Sequence, residues 1–182
     1  MKKAFSKAIL RLFGWKLASL EGSDLKKCVI CVAPHTSNWD FILGKFVYAS
    51  IGCKASFLMK KEWFFFPFNL LFKWMGGIPI TRGKSASVTD QLAEEFNKRD
   101  YFQLAITPEA TRKPAPVWKM GFYYIALKAN VPILLAFFDY KKKEVGIMEA
   151  FYPTGDAEMD IVYIRSRYAG VTGRHPKNFI DI

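Results

Sequence analysis

Two side chains able to act as a base and its partner stand close together early in the chain. They are His35 and Asp40, separated by four residues in Pro34-His35-Thr36-Ser37-Asn38-Trp39-Asp40. An imidazole exchanges protons near neutral pH. A carboxylate against one ring nitrogen fixes the tautomer and leaves the other nitrogen free to take a proton from a hydroxyl. No third member of a Ser-His-Asp triad is needed, because the activated hydroxyl can belong to the substrate. The same spacing also arises by chance, with His35 a loop histidine and Asp40 an acid satisfying a helix N-terminus.

The elements that must position this pair follow from the hydrophobic pattern. Short β-rich runs at 27–33, 54–59, 77–81, 101–106, 131–138 and 144–151 alternate with helical segments at 38–51, 67–75, 86–98, 119–129 and 157–168. A βαβα order with apolar strands predicts an α/β fold: one domain with a largely parallel sheet flanked by helices. His35 then follows directly on the strand 27–33, and Asp40 falls in the first turn of the next helix. In such sheets, ligands bind beyond the carboxyl ends of the strands.

Residues 2–19 read as an amphipathic helix, with Phe5, Ala8, Ile9, Leu12 and Phe13 on one stripe and Lys3, Lys7 and Arg11 opposite. This divides the chain into an N-terminal amphipathic, membrane-associated helix over 1–20 and an α/β domain over 21–182. The stripe fits either a membrane interface or packing on the domain. The block Trp63–Met75, dense in Phe and Trp, leaves the same choice between core and membrane contact.

Composition narrows the partners. A chain of 182 residues fits one domain, and a formal charge of +11 implies an anionic partner. The basic residues sit beside large apolar clusters, which favours a lipid surface over nucleic acid. Cys28 and Cys31 lie in one expected strand at odd spacing, on opposite faces, and no second pair completes a metal site. A reducing cytosolic setting follows. No run reaches the roughly 18 apolar residues of a membrane span, and Arg11 and Lys16 interrupt any signal-peptide core. The expected location is peripheral, on the cytoplasmic side of a membrane. Lys141-Lys142-Lys143 reads as a solvated hairpin turn, and His175 is given no catalytic role.

Four segments in order resemble the lysophospholipid and glycerol-3-phosphate acyltransferases. His35 and Asp40 match the family's H-x4-D motif, with Pro34 in place of the usual polar residue. Gly77-Ile78-Pro79-Ile80-Thr81-Arg82 matches the second motif, and Thr107-Pro108-Glu109-Ala110-Thr111-Arg112 the F-P-E-G-T-R motif, followed by Trp118-Lys119-Met120-Gly121. Val131-Pro132-Ile133-Leu134-Leu135 keeps the first proline of the V-P-x-x-P motif and lacks the second. The resemblance spans roughly residues 28–138.

It implies transfer of a fatty acyl group from acyl-CoA or acyl carrier protein, as cosubstrate with no bound cofactor, to the hydroxyl of a lysophospholipid. His35 would be the general base and Asp40 its orienting partner. Arg82, Glu109, Thr111, Arg112 and Lys119 would bind substrate, the arginines holding an anionic head group, assisted at Arg82 by a helix N-terminus near Ser85. Glu109 would orient the acceptor or hold one arginine. Ala110 stands where the motif has glycine, which restricts that loop, and Lys113-Pro114-Ala115-Pro116 gives the next segment an extended, basic character. Two alternatives share these residues: a thioesterase or lipid hydrolase in which the dyad activates water, and a non-enzymatic basic module on anionic membrane.

Overall fold

The structure, a computed structural model, describes residues 2–80 and 87–180. Seven strands form one sheet: β1 (Lys16–Leu20), β2 (Lys27–Ala33), β3 (Ser56–Lys60), β4 (Gly77–Ile80), β5 (Phe102–Ile106), β6 (Ile133–Asp139) and β7 (Glu144–Phe151). Their order across the sheet is β1-β7-β6-β2-β5-β3-β4. The strands β6, β2, β5, β3 and β4 run parallel; β7 is antiparallel to β6, and β1 is parallel to β7. The largely parallel sheet expected from the βαβα pattern is the one observed.

Among the described residues the α-helices are α1 (Lys2–Leu12), α2 (Trp39–Ile51), α3 (Phe68–Trp74), α4 (Val88–Lys98), α5 (Gly121–Ala129) and α6 (Ala157–Ser166). Strand β2 shows why they divide between two layers, because successive side chains of a strand point to opposite faces. Val29, Cys31 and Ala33 pack with Leu92 and Phe96 of α4, Phe122 and Tyr123 of α5, and Ile164 of α6. Cys28 and Ile30 face the other way, toward Tyr48 of α2. The two cysteines are buried, free thiols on opposite faces. Burial pushes the Cys28 thiol up to about 12, and neither is poised to react.

The expected helix over 2–19 is corrected. It ends at Leu12, because Gly14 adopts φ +75°, a left-handed conformation that stops a right-handed helix. Lys16–Leu20 is instead β1, which covers the outer edge of β7, an edge otherwise open to foreign strands. Residues 16–20 are therefore part of the sheet. The stripe of α1 is also turned differently from a packing helix. Ser6 and Leu10 are buried, whereas Phe5, Leu12 and Phe13 are exposed, Leu12 at 78%.

No residue of α3 is buried. Phe66 and Trp74 are 78% and 77% exposed, with Phe65, Leu70 and Leu71 also open. The core reading of the aromatic block is thereby excluded for these residues. Lys141–Lys143 forms the β6–β7 hairpin turn, capped by Asp139, whose carboxylate accepts the N–H groups of Lys141 and Lys142.

Candidate active site

Three adjacent strands, β6, β2 and β5, end side by side, and the loops beyond them converge. Between β5 and β6 the chain crosses from one side of β2 to the other, which opens a crevice at the carboxyl ends of the strands. The loop after β2 carries His35 and leads into α2. Asp40, in the first turn of α2, is 3% exposed, and its carboxylate folds back over the loop. Oδ2 accepts the backbone N–H groups of Thr36 and Ser37, each at 3.0 Å, and lies 3.1 Å from Nδ1 of His35. Oδ1 accepts the hydroxyl of Tyr140 at 2.6 Å.

This arrangement fixes the histidine tautomer. A carboxylate is acceptor-only, so the facing Nδ1 carries the proton and Nε2 presents its lone pair. The ring is half-buried. From the β5 loop, Glu109 reaches the same segment: Oε1 accepts the backbone N–H of His35 at 2.9 Å. Its other oxygen is buried with no hydrogen-bond partner among the described residues. Burial raises the Glu109 carboxyl above its ordinary 4.5, opposed by the bond from His35.

The remaining sequence candidates fall as follows. Arg112 is exposed at the rim and its guanidinium donates to Asn38 Oδ1; its own carbonyl accepts from Asn178. No carboxylate pairs with it among the described residues, so its charge is available to an anion. Thr111 turns its hydroxyl to the N–H of Lys113, within its own loop. Lys119 has an exposed side chain, and its backbone N–H ties the segment to Pro108. Arg82 and the neighbouring Ser85 lie outside the described residues. Among the described residues, the hydrogen bond that Glu109 accepts comes from the backbone N–H of His35. Ala110 adopts φ +54°, the left-handed conformation in which the motif's glycine is unstrained.

Sequence reasoning missed Tyr140, Asn38 and the C-terminal segment that closes the rim. There, His175 contributes a backbone N–H to Thr36 Oγ1, and Gly173 lies so close to Thr36 that a Cβ would fall 2.8 Å from its hydroxyl. Arg174 stacks its guanidinium 5.3 Å from the centre of the Trp39 ring. The one signal for Tyr140 was its place just past a strand's carboxyl end.

Behind the pair lies a hollow of about 470 Å³, within the range of small-molecule sites. Its roof is α2, through Phe41, Gly44, Val47 and Tyr48. Its floor is the sheet, from Met59 through Ile30, Val32 and Ala136 to Ile147 and Leu20. His35, Asn38 and Asp40 form its polar rim, beside Ala110. No cluster of His, Cys, Asp or Glu suited to a metal occurs among the described residues.

Comparison with known proteins identifies the family and the fold. The model of the acyltransferase family matches residues 16–135. Among solved structures, the chain is similar to the 1-acyl-sn-glycerophosphate (LPA) acyltransferase PlsC from Thermotoga maritima, at a TM-score of 0.60 and 19% identity, over 89% of this chain and 73% of that one. No curated protein gave a significant match.

Proposed function

Since the chain belongs to the acyltransferase family, we propose that it moves a fatty acyl group from acyl-CoA or acyl carrier protein to the hydroxyl of a lysophospholipid, lysophosphatidic acid or a related lysolipid. Family membership makes it an enzyme and sets aside the non-enzymatic alternative. The observation that carries the finer reading is the hydrogen-bonded His35–Asp40 pair at the rim of a largely apolar hollow.

The hollow takes the acyl chain of the donor, with the thioester carbonyl at His35. As the acceptor oxygen attacks that carbonyl, Nε2 of His35 removes its proton, and Asp40 stabilises the imidazolium that results. The tetrahedral intermediate then breaks its C–S bond, and the leaving thiolate takes the proton from His35. No acyl-enzyme forms. Arg112 faces the acceptor's phosphate at the rim.

The acceptor is a lipid, and an apolar surface adjoins the hollow to meet it. Phe41 and Lys45 line the hollow and also a second groove shared with Lys2, Phe5, Ile42 and Met75. Lys2 lies over the Trp74 ring, bringing α1 against the end of α3. Exposed Phe5, Ile42, Phe66, Leu70 and Trp74, with Lys2, Lys7 and Lys73 among them, fit the interfacial layer of an anionic membrane. We assign the protein a peripheral place on the cytoplasmic face; no described helix is long and apolar enough to cross a membrane.

The test is purified protein with labelled acyl-CoA or acyl carrier protein and a panel of lysolipids, wild type beside His35→Ala. Esterified product from the wild type and none from a folded His35→Ala is expected. Thiol release at full rate without acceptor would make the enzyme a hydrolase, and an active His35→Ala would remove the base from the mechanism.

A further inference from the structure

Asp40 Oδ2 is fully used by His35 and two backbone amides, so the orientation and charge of the carboxylate depend on what meets Oδ1. That partner is Tyr140, whose hydroxyl donates at 2.6 Å from the end of β6, 100 residues further along the chain. It lies beyond the 16–135 segment that the family model matches. Three contacts hold the phenol in place. Trp15 meets its ring edge-on, with centroids 5.0 Å apart. Its backbone N–H donates to Thr172 at 2.8 Å, and Arg174 lies beside its hydroxyl. Burial, and then the bond to Asp40, push the phenol above its ordinary 10.0, so it keeps its proton and remains a donor.

We propose that Tyr140 is a positioning residue for the His35–Asp40 pair. Its O–H locks the plane of the carboxylate and draws charge from it, and so sets how strongly Asp40 pulls on the Nδ1 proton of His35. Tyr140 does not exchange its proton during the reaction; the acceptor's proton travels through His35 alone. A buried network of this kind is stronger than its separate bonds, and an error in the imidazole plane is carried directly to Nε2. The kinetic consequence rests on the acyl-transfer reading, whereas the hydrogen-bond consequence does not.

Tyr140→Phe keeps the ring and its Trp15 contact and removes the hydroxyl, with its donation to Asp40 and its contact with Arg174. The expected result is a kcat lower by roughly tenfold, with acceptor KM little changed. The acid limb of the kcat/KM profile moves to higher pH, because an uncompensated carboxylate favours the protonated imidazole. In the substrate-free protein, the Nδ1–H proton resonance of His35 moves downfield. Incorporation of 3-fluorotyrosine at position 140 makes a stronger donor without removing it, and should move that resonance upfield. A fall in kcat with neither the profile nor the resonance changed would be a packing effect and would overturn the proposal, as would a wild-type kcat. If the wild type transfers no acyl group, the function proposed above fails while the resonance still decides the role of Tyr140.

Discussion

Glu109 accepts the backbone N–H of His35 at 2.9 Å across 74 residues of chain, so the loop after β5 fixes the loop after β2. The carboxyl is 5% exposed and burial raises it above 4.5. Between its unfolded value and that raised folded value, the native state binds more protons than the unfolded state, so stability falls as pH rises. Glu109→Gln removes this dependence while keeping an acceptor for His35. Denaturant unfolding at pH 4.5 and pH 7 should show the wild type losing ground to Glu109→Gln at the higher pH; parallel behaviour would mean that the carboxyl titrates normally.

Asp40→Asn keeps the shape of the carboxylate and one acceptor oxygen while removing the charge that stabilises the imidazolium. Steady-state kinetics should show kcat/KM lower by about a hundredfold to a thousandfold, with a cooperative thermal transition retained. Activity near wild type would show that His35 works without an anionic partner.

Ala110 bears a left-handed backbone, at φ +54°, in the position where the family motif has glycine. Relief of that conformation in Ala110→Gly should stabilise the fold by about 0.5–1 kcal/mol, net of the greater freedom glycine has in the unfolded chain. Chemical denaturation checks this, and a loss of stability would show that the methyl group's contacts outweigh the backbone strain.

Gly44 lies in the roof of the hollow, and a Cβ there would meet only Phe138, at an ordinary 3.6 Å. Gly44→Leu therefore fills part of the space without disturbing α2. Against a series of acyl thioesters, long chains should lose about tenfold relative to short ones, the equivalent of roughly two unburied methylenes. An unchanged chain-length profile would place the acyl chain elsewhere.

Replacing Phe66, Leu70 and Trp74 with serine touches no buried side chain, so thermal stability should hold. Co-flotation with phosphatidylcholine–phosphatidylglycerol vesicles should fall by at least about tenfold if these residues enter the interface. Undiminished flotation would remove α3 from the membrane face.

Much of this was legible in the sequence, for reasons that differ by residue. Strand β2 is a continuous apolar run from Cys28 to Ala33, β5 is apolar apart from the buried Gln103, and the helices between them carry clear punctuation, such as Ser87 capping α4 and Gly52 ending α2 at φ +83°. His35 and Asp40 are local to each other, so their spacing could be read directly. Strand β1 was hidden because five residues at a sheet edge are defined by their partner β7, with little pattern of their own. Tyr140 was hidden because its contact with Asp40 spans 100 positions, and a strand's last tyrosine looks the same whether or not a carboxylate waits for it. The aromatic block was undecidable because apolar residues show the same composition in a core and on a membrane face.

The hollow between α2 and the sheet gives the substrate a second role. Next to it, Leu10 and Trp15 are buried against Val47, Phe138 and Val145; over Ile30, Val32 and Ala136 the helix spans open space. Under the proposed function, an acyl chain entering there would supply the missing contacts and become, for the length of one turnover, part of the hydrophobic core. The folded state would then be stabilised by its own reactant, by an amount that grows with chain length, and product release would require the protein to give up a piece of its interior.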